Sequence, residues 1–358
     1  VRVVPAEFQP VPSTTRSAES LTFTGSGAEY FRIWIVNLAF TILTLGIYSP
    51  WAKVRRLQYF HRHTRLGGSG FDFHGKPGAI LRGRILALLL LASLEAAYNL
   101  DRTAGVALAI PLVATLPWLV MRSIAFRLRN TSWRGIRFRF ASGNADAYRA
   151  LLWWPLLAIM TLGALAPRAY REFKAFQHGN SHFGRDAFAF HVTTRAVYGV
   201  FGQALAMFLL APLAIGLAGV ALLGGLDSGM DPRLDLAWAW LFVGGFVALY
   251  SGFVAVKPFL DARLQNAVWN GTTLGGHGFT STLRFRTLLW ITLSNLALTV
   301  ASLGLFRPFA VVRLARYRVE CMAMHVAGSL DDFSAGQGSE IDAFGEEVGE
   351  LMDLDIAL

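Results

Sequence analysis

The sequence predicts a mainly α, polytopic membrane protein in which three internal repeats are joined by two transmembrane hairpins, with small cytoplasmic β elements. Three observations predict it: overall hydropathy, a triplicated turn, and the placement of the basic residues. Of 358 residues 54% are hydrophobic and mean hydropathy is +0.44, above the roughly 45–50% apolar share of ordinary soluble domains. Three hydrophobic runs end in Leu-Gly, with a proline four residues past the glycine and an aromatic nine past the proline. They are Thr44-Leu45-Gly46 with Pro50 and Tyr59, Thr161-Leu162-Gly163 with Pro167 and Phe176, and Ser302-Leu303-Gly304 with Pro308 and Tyr317. Self-similarity of this kind fixes the architecture before any single element is assigned.

Charge then decides which runs cross. Residues 1–330 hold all 33 Lys and Arg against 14 acids, and residues 331–358 hold nine acids and no base. In a soluble chain a basic body would point to nucleic acid. In a membrane chain it reads as cytoplasmic loops retained by the positive-inside bias, and nucleic acid is set aside as a partner. Seven apolar runs are candidates for spans: 31–48, 80–98, 104–121, 151–166, 196–223, 236–256 and 288–306. The loops 49–84, 121–149, 167–195 and 257–287 are all net basic, whereas Asp227, Asp231 and Asp235 make 225–235 acidic. Four crossings by the two hairpins keep every basic loop inside. The three repeat helices are then re-entrant or lie along the cytoplasmic leaflet, with both termini cytoplasmic. A seven-span alternative with the middle repeat inverted stays open.

In chain order, residues 1–20 are a polar, proline-bearing lead read as disordered. Repeat 1 covers 21–77, hairpin 1 covers 78–121, repeat 2 covers 122–194, hairpin 2 covers 195–257 and repeat 3 covers 258–330. Each repeat reads as strand, hydrophobic helix, Leu-Gly turn, basic helix, strand. In 134–140 the residues Ile136, Phe138 and Phe140 alternate with Arg137 and Arg139, the period of a half-buried strand. Gly67-Gly68-Ser69-Gly70 lacks the Lys-Ser/Thr of a phosphate loop and reads as a hairpin turn. Asp331-Asp332-Phe333 stands where the other repeats carry Phe-x-Phe-His, which puts the second strand of repeat 3 in question. The tail 331–358 reads as a flexible link followed by an acidic amphipathic helix that folds back on the basic face or docks a membrane protein partner. The single cysteine, Cys321, excludes an intrachain disulfide.

The first repeat carries a resemblance. Phe23-Thr24-Gly25, Glu29-Tyr30-Phe31, Asn37, the run from Thr44 through Pro50-Trp51-Ala52-Lys53-Val54-Arg55, Tyr59-Phe60, Phe71 and Gly75 together resemble the YjgN-like family of bacterial inner-membrane proteins. The resemblance implies an inner-membrane location and assigns no molecular function or catalytic residue.

No catalytic motif stands out, so the chain is read as a non-enzyme without a cofactor. Trp51, Lys53, Arg55, Arg56, Arg171 and Arg313 set cations beside aromatics and are candidates for anionic lipid headgroups. Asn37, Asn295 and Glu95 are candidates for a polar path through the membrane. His61, His74, His178 and His191 recur at matched offsets from the repeat prolines, but no acid or cysteine accompanies them at a shared ligand spacing, and no metal is expected. The expected function is transport or lipid handling by three pseudo-equivalent repeats. The alternative is a scaffold, for example for a membrane protease, acting through the basic cytoplasmic face.

Overall fold

A computed structural model describes residues 17–224, 232–331, 333 and 334. Most of the polar lead, the loop bearing Asp227 and Asp231, and the amphipathic part of the tail lie outside the described residues.

Four ten-residue stretches share one spelling: a Thr or Ser, a large apolar residue two positions on, and a Phe five further. They are Thr64-x-Leu66 to Phe71, Thr131-x-Trp133 to Phe138, Ser181-x-Phe183 to Phe188, and Thr272-x-Leu274 to Phe279. Each folds as a β-hairpin: β3 (Thr64–Leu66) with β4 (Ser69–Phe73), β5 (Thr131–Trp133) with β6 (Ile136–Phe140), β7 (Ser181–Phe183) with β8 (Asp186–Phe190), and β9 (Thr272–Leu274) with β10 (His277–Ser281). A type I′ two-residue loop, whose twist matches that of the flanking strands, requires positive φ at both positions. Gly67-Gly68, Arg134-Gly135 and Gly275-Gly276 supply it, at φ 53° and 75°, 51° and 80°, and 53° and 84°.

The hairpins line up side by side. Two further strands, β1 (Ser17–Ser20) and β2 (Thr22–Phe23), flank the array, and β11 (Met322–Val326) joins β10. The order is β1-β11-β10-β9-β8-β7-β6-β5-β4-β3-β2, antiparallel at every pairing given. Its two ends, β1 and β2, are separated in sequence by Leu21 alone, so the backbone itself bends the sheet into a short, nearly closed barrel. The strand that repeat 3 lacks after β11 comes from the other end of the chain: Ser17 pairs with Val326 and Ser20 with Ala323.

The barrel interior is packed with apolar side chains. Leu66, Trp133, Phe183, Leu274, Met324 and Val326 are buried there, and Leu330 is buried against them. A second tier lies alongside, in which Phe71, Phe138, Phe188 and Phe279 stack on one another in turn, with centroids 6.4, 6.4 and 6.1 Å apart. The backbone after β11 caps the barrel: Phe333 stacks on Phe183, and Arg134 donates to the Leu330 carbonyl at 3.1 Å and to Asp331 at 2.5 Å. That anchor explains why one turn carries arginine where the other three carry glycine.

Between strands the chain leaves the barrel and returns five times as helix pairs. The three short pairs are α1 (Gly27–Leu43) with α2 (Ser49–His63), α5 (Asn144–Tyr148) and α6 (Trp154–Met160) with α7 (Ala166–Gly179), and α10 (Phe285–Ala301) with α11 (Arg307–Glu320). The two long pairs are α3 (Pro77–Leu100) with α4 (Arg102–Arg129), and α8 (Thr194–Gly224) with α9 (Pro232–Asn270). A π-helical stretch, Arg149–Trp153, joins α5 to α6 just before Pro155, whose missing N–H and ring bulk disturb regular helical bonding.

These observations correct the expected fold class. The β elements are not small adjuncts to a helical protein, because one eleven-stranded sheet organises the described residues. Among the described residues only Arg102–Arg129 is long and apolar enough to cross a membrane. The repeat helices α1 and α10 have 17 residues each, short of the roughly 20 a full crossing takes.

Candidate functional site

The three Leu-Gly turns close on one geometry. Leu45, Leu162 and Leu303 sit in the left-handed region at φ 50°, 50° and 49°, and the following glycines lie near φ 90°. Each glycine N–H returns to the carbonyl five residues back at 2.7 Å, which is the Schellman ending of a helix. The left-handed position normally goes to glycine, since a Cβ there costs about 1–2 kcal/mol. Here it holds leucine three times, and those leucines are 95, 98 and 94% exposed. Behind each tip run more exposed apolar side chains: Phe40, Ile42 and Leu43; Leu156, Ile159 and Met160; Leu296, Leu298 and Val300. The long pair adds Leu88, Leu89, Ile110 and Val113. An apolar surface of this extent on a soluble protein would be an aggregation site.

Cavities open among the helices of the described residues, and two of them gather polar groups. The larger, about 830 Å³, lies where the helices returning to the barrel, α2, α4, α7, α9 and α11, converge above the phenylalanine tier. His61, Arg127, Lys174, His178, Asp261 and Arg318 bring polar groups into it, with Phe138 and Phe188 at its base. Arg318 donates to Asp261 at 2.7 Å while its Nε is buried without a partner. Burial and the nearby Lys174 ammonium pull His178 down to about 4, and burial also lowers His61. Both imidazoles are neutral at pH 7.

The smaller cavity, about 490 Å³, lies between α1, α2, α3 and the start of α11. Tyr30, Trp34 and Asn37 repeat at helical spacing on α1, Ser49, Lys53 and Arg56 do so on α2, and Arg84 and Arg307 close the sides. Four cations meet there and no carboxylate lines the space. Burial, then Arg84 and Arg127, hold the Lys53 ammonium below its ordinary pKa. Arg84 donates to the Ser49 hydroxyl. Asn37 is 7% exposed, and its Oδ1 is buried without a hydrogen-bond partner.

The remaining residues singled out from sequence are scattered. Trp51 stacks on Tyr48 at 6.0 Å, and Arg55 lies 5.9 Å over the same ring. Arg171 is occupied by the Val192 carbonyl and Glu172, and Arg313 by Ser294. Asn295 donates to the Ala310 carbonyl at 3.1 Å and ties α10 to α11, lining neither cavity. Glu95 is exposed on α3 beside Asn99. His74 pairs with Ser132, and His191 with Thr273. Among the described residues no three metal-ligating groups converge. Sequence reasoning missed Arg84 and Arg307, which lie in different elements and gather only through packing.

A family model for bacterial proteins of unknown function, DUF898, matches residues 18–351. The chain belongs to the DUF898 family. The resemblance read from the first repeat thus extends from β1 into the acidic tail. Among the similar relatives of this DUF898 chain is inner membrane protein YjgN of Salmonella typhimurium, 22% identical over 90% of this chain and 91% of its own. Another is inner membrane protein YjgN of Escherichia coli O157:H7, 25% identical over 41% of this chain and 37% of its own. No solved structure matches.

Proposed function

We propose that this chain is an inner-membrane, lipid-handling protein whose barrel lies at the cytoplasmic face and whose three short helix pairs enter one leaflet and return. The left-handed leucines carry this reading. A residue that raises the energy of its own turn and touches no protein contributes only if something else receives the side chain, and hydrocarbon does. The membrane location of the relatives supports it, as does the return of each pair to the barrel. Lys53, Arg55 and Arg56, a few residues below the first tip, would then lie at the depth of the headgroups. A second reading, passage of a small solute along the barrel axis, draws on the 830 Å³ cavity, although the barrel below it is packed.

Spin labels on cysteines placed at Leu45, Leu162 and Leu303, in a Cys321→Ser background, test insertion in reconstituted vesicles. The labels should relax strongly with dissolved oxygen and weakly with a water-soluble nickel chelate. Stronger relaxation by nickel at all three tips would sink the proposal.

A further inference from the structure

The smaller cavity contains a charge arrangement that the fold does not explain. Lys53, Arg56, Arg84 and Arg307 come from three different helices, and none of the four is ion-paired among the described residues. Gathering like charges is unfavourable, and no carboxylate in the lining compensates. Elsewhere in the protein Arg318 is neutralised by Asp261 and Arg171 by Glu172. No such acid lines this cavity. The second observation is independent of charge. Asn37, more than nine-tenths buried, lines the cavity with an Oδ1 that no protein donor reaches. An orphaned buried amide oxygen is destabilising unless something donates to it. Ser49 and Tyr30 add hydroxyls to the same wall.

We infer that this cavity binds a phosphate ester carrying a neighbouring hydroxyl, with its anionic oxygens on Lys53, Arg84, Arg56 and Arg307 and its hydroxyl donating to Asn37. Guanidinium forks match phosphate oxygens in geometry as well as charge, and an ammonium supplies the point charge. Two sources carry this chemistry: the headgroup of an anionic lipid such as a phosphatidylglycerol, and a free phosphate or sugar phosphate from the cytosol. The placement of Lys53 and Arg56 at headgroup depth rests on the insertion proposed above. The phosphate chemistry of the cavity does not.

The test uses the full chain in neutral detergent micelles, titrated calorimetrically in parallel with short-chain phosphatidylglycerol, glycerol 3-phosphate and inorganic phosphate. The same titrations are run on Lys53→Met, Arg84→Gln and Asn37→Leu. Wild type should bind at least one of the three probes, and Lys53→Met and Arg84→Gln should each weaken it by about tenfold or more. Saturation by phosphatidylglycerol that inorganic phosphate does not displace identifies the lipid as the source, and the converse identifies the soluble ester. Asn37→Leu keeps the cations and removes only the acceptor. It should weaken phosphatidylglycerol and glycerol 3-phosphate while leaving inorganic phosphate unchanged, and its unfolding midpoint reports whether it folds. No binding by any probe, or equal affinity in wild type and both charge variants, overturns the inference. Spin labels at the tips of the same variants keep the two ideas apart. Tips in lipid without phosphate binding refute the site alone, and phosphate binding with tips in water refutes insertion alone.

Discussion

Lowering the pH from 7 to 5 should destabilise the protein through His178, at the barrel end of α7. Its imidazole is packed against Phe190 and Trp269, at 5.6 and 5.4 Å, with the Lys174 ammonium nearby. Its pKa falls from 6.5 in the unfolded chain to about 4 in the folded one. Between those values the unfolded state binds the proton and the native state does not, so stability is full above 6.5 and drains away as pH falls toward 4. At pH 5 the unfolded histidine is almost wholly protonated and the native one about one-tenth so. The ratio of binding polynomials is about thirtyfold, or about 2 kcal/mol. Urea unfolding in mild detergent, followed by tryptophan fluorescence, gives the measurement. His61, also depressed, adds to the slope, so the informative quantity is the wild-type slope less that of His178→Gln. That difference should be close to 2 kcal/mol between the two pH values. Identical slopes would show that the histidine titrates normally and that the cavity wall around it is wet.

Four other outcomes follow. Phe183→Ala, which empties a 1% exposed site between Trp133, Phe138 and Phe333, should cost about 3–5 kcal/mol, read as a lowered unfolding midpoint. Leu45→Gly, Leu162→Gly and Leu303→Gly combined should stabilise the protein in detergent by about 1 kcal/mol or more, by relieving left-handed strain, while reducing its partition into vesicles in flotation assays. Gly304→Ala, at φ 94°, should destabilise by about 1–2 kcal/mol in thermal unfolding. Arg134→Gly should leave the unfolding free energy of the barrel within about 1 kcal/mol of wild type, yet release the segment around Leu330 and Phe333, seen as faster proteolysis there.

Much of the plan was readable in the sequence, and what was hidden was hidden by scale. The Leu-Gly-x-x-x-Pro spacing located all three short helix pairs, because a Schellman ending and a proline in the first turn of the next helix leave fixed marks on the chain. The alternation of Ile136, Phe138 and Phe140 with arginine gave β6, and the glycine pair gave the turn at Gly67. The barrel leaves little trace in the sequence because its strands are two to five residues long, too short for periodicity to register. Its hairpins also follow helices of two lengths, so a threefold repeat of turns masks a four-times-written hairpin. The four residues at Thr64, Thr131, Ser181 and Thr272, each seven before a phenylalanine, were the available signal. The missing strand of repeat 3 could not have been found locally, since its partner lies some 300 positions away. The cationic cavity was half visible, with Lys53 and Arg56 named from the sequence. Arg84 and Arg307 join them only once α3 and α11 pack.

The pairing of Ser17 with Val326 sets an order of events during synthesis. Until the last barrel strand leaves the ribosome, β1 has no partner and the growing ladder keeps an open rim, the kind of surface that recruits other chains. Loop closure across nearly the entire length is slow, and its reward arrives last. Helix pairs already seated in lipid would hold the nascent hairpins in a row and shorten that search. With the insertion proposed above, the bilayer would be the jig on which the cylinder is rolled shut, and a chain made without membranes would stall as an unrolled, sticky ribbon.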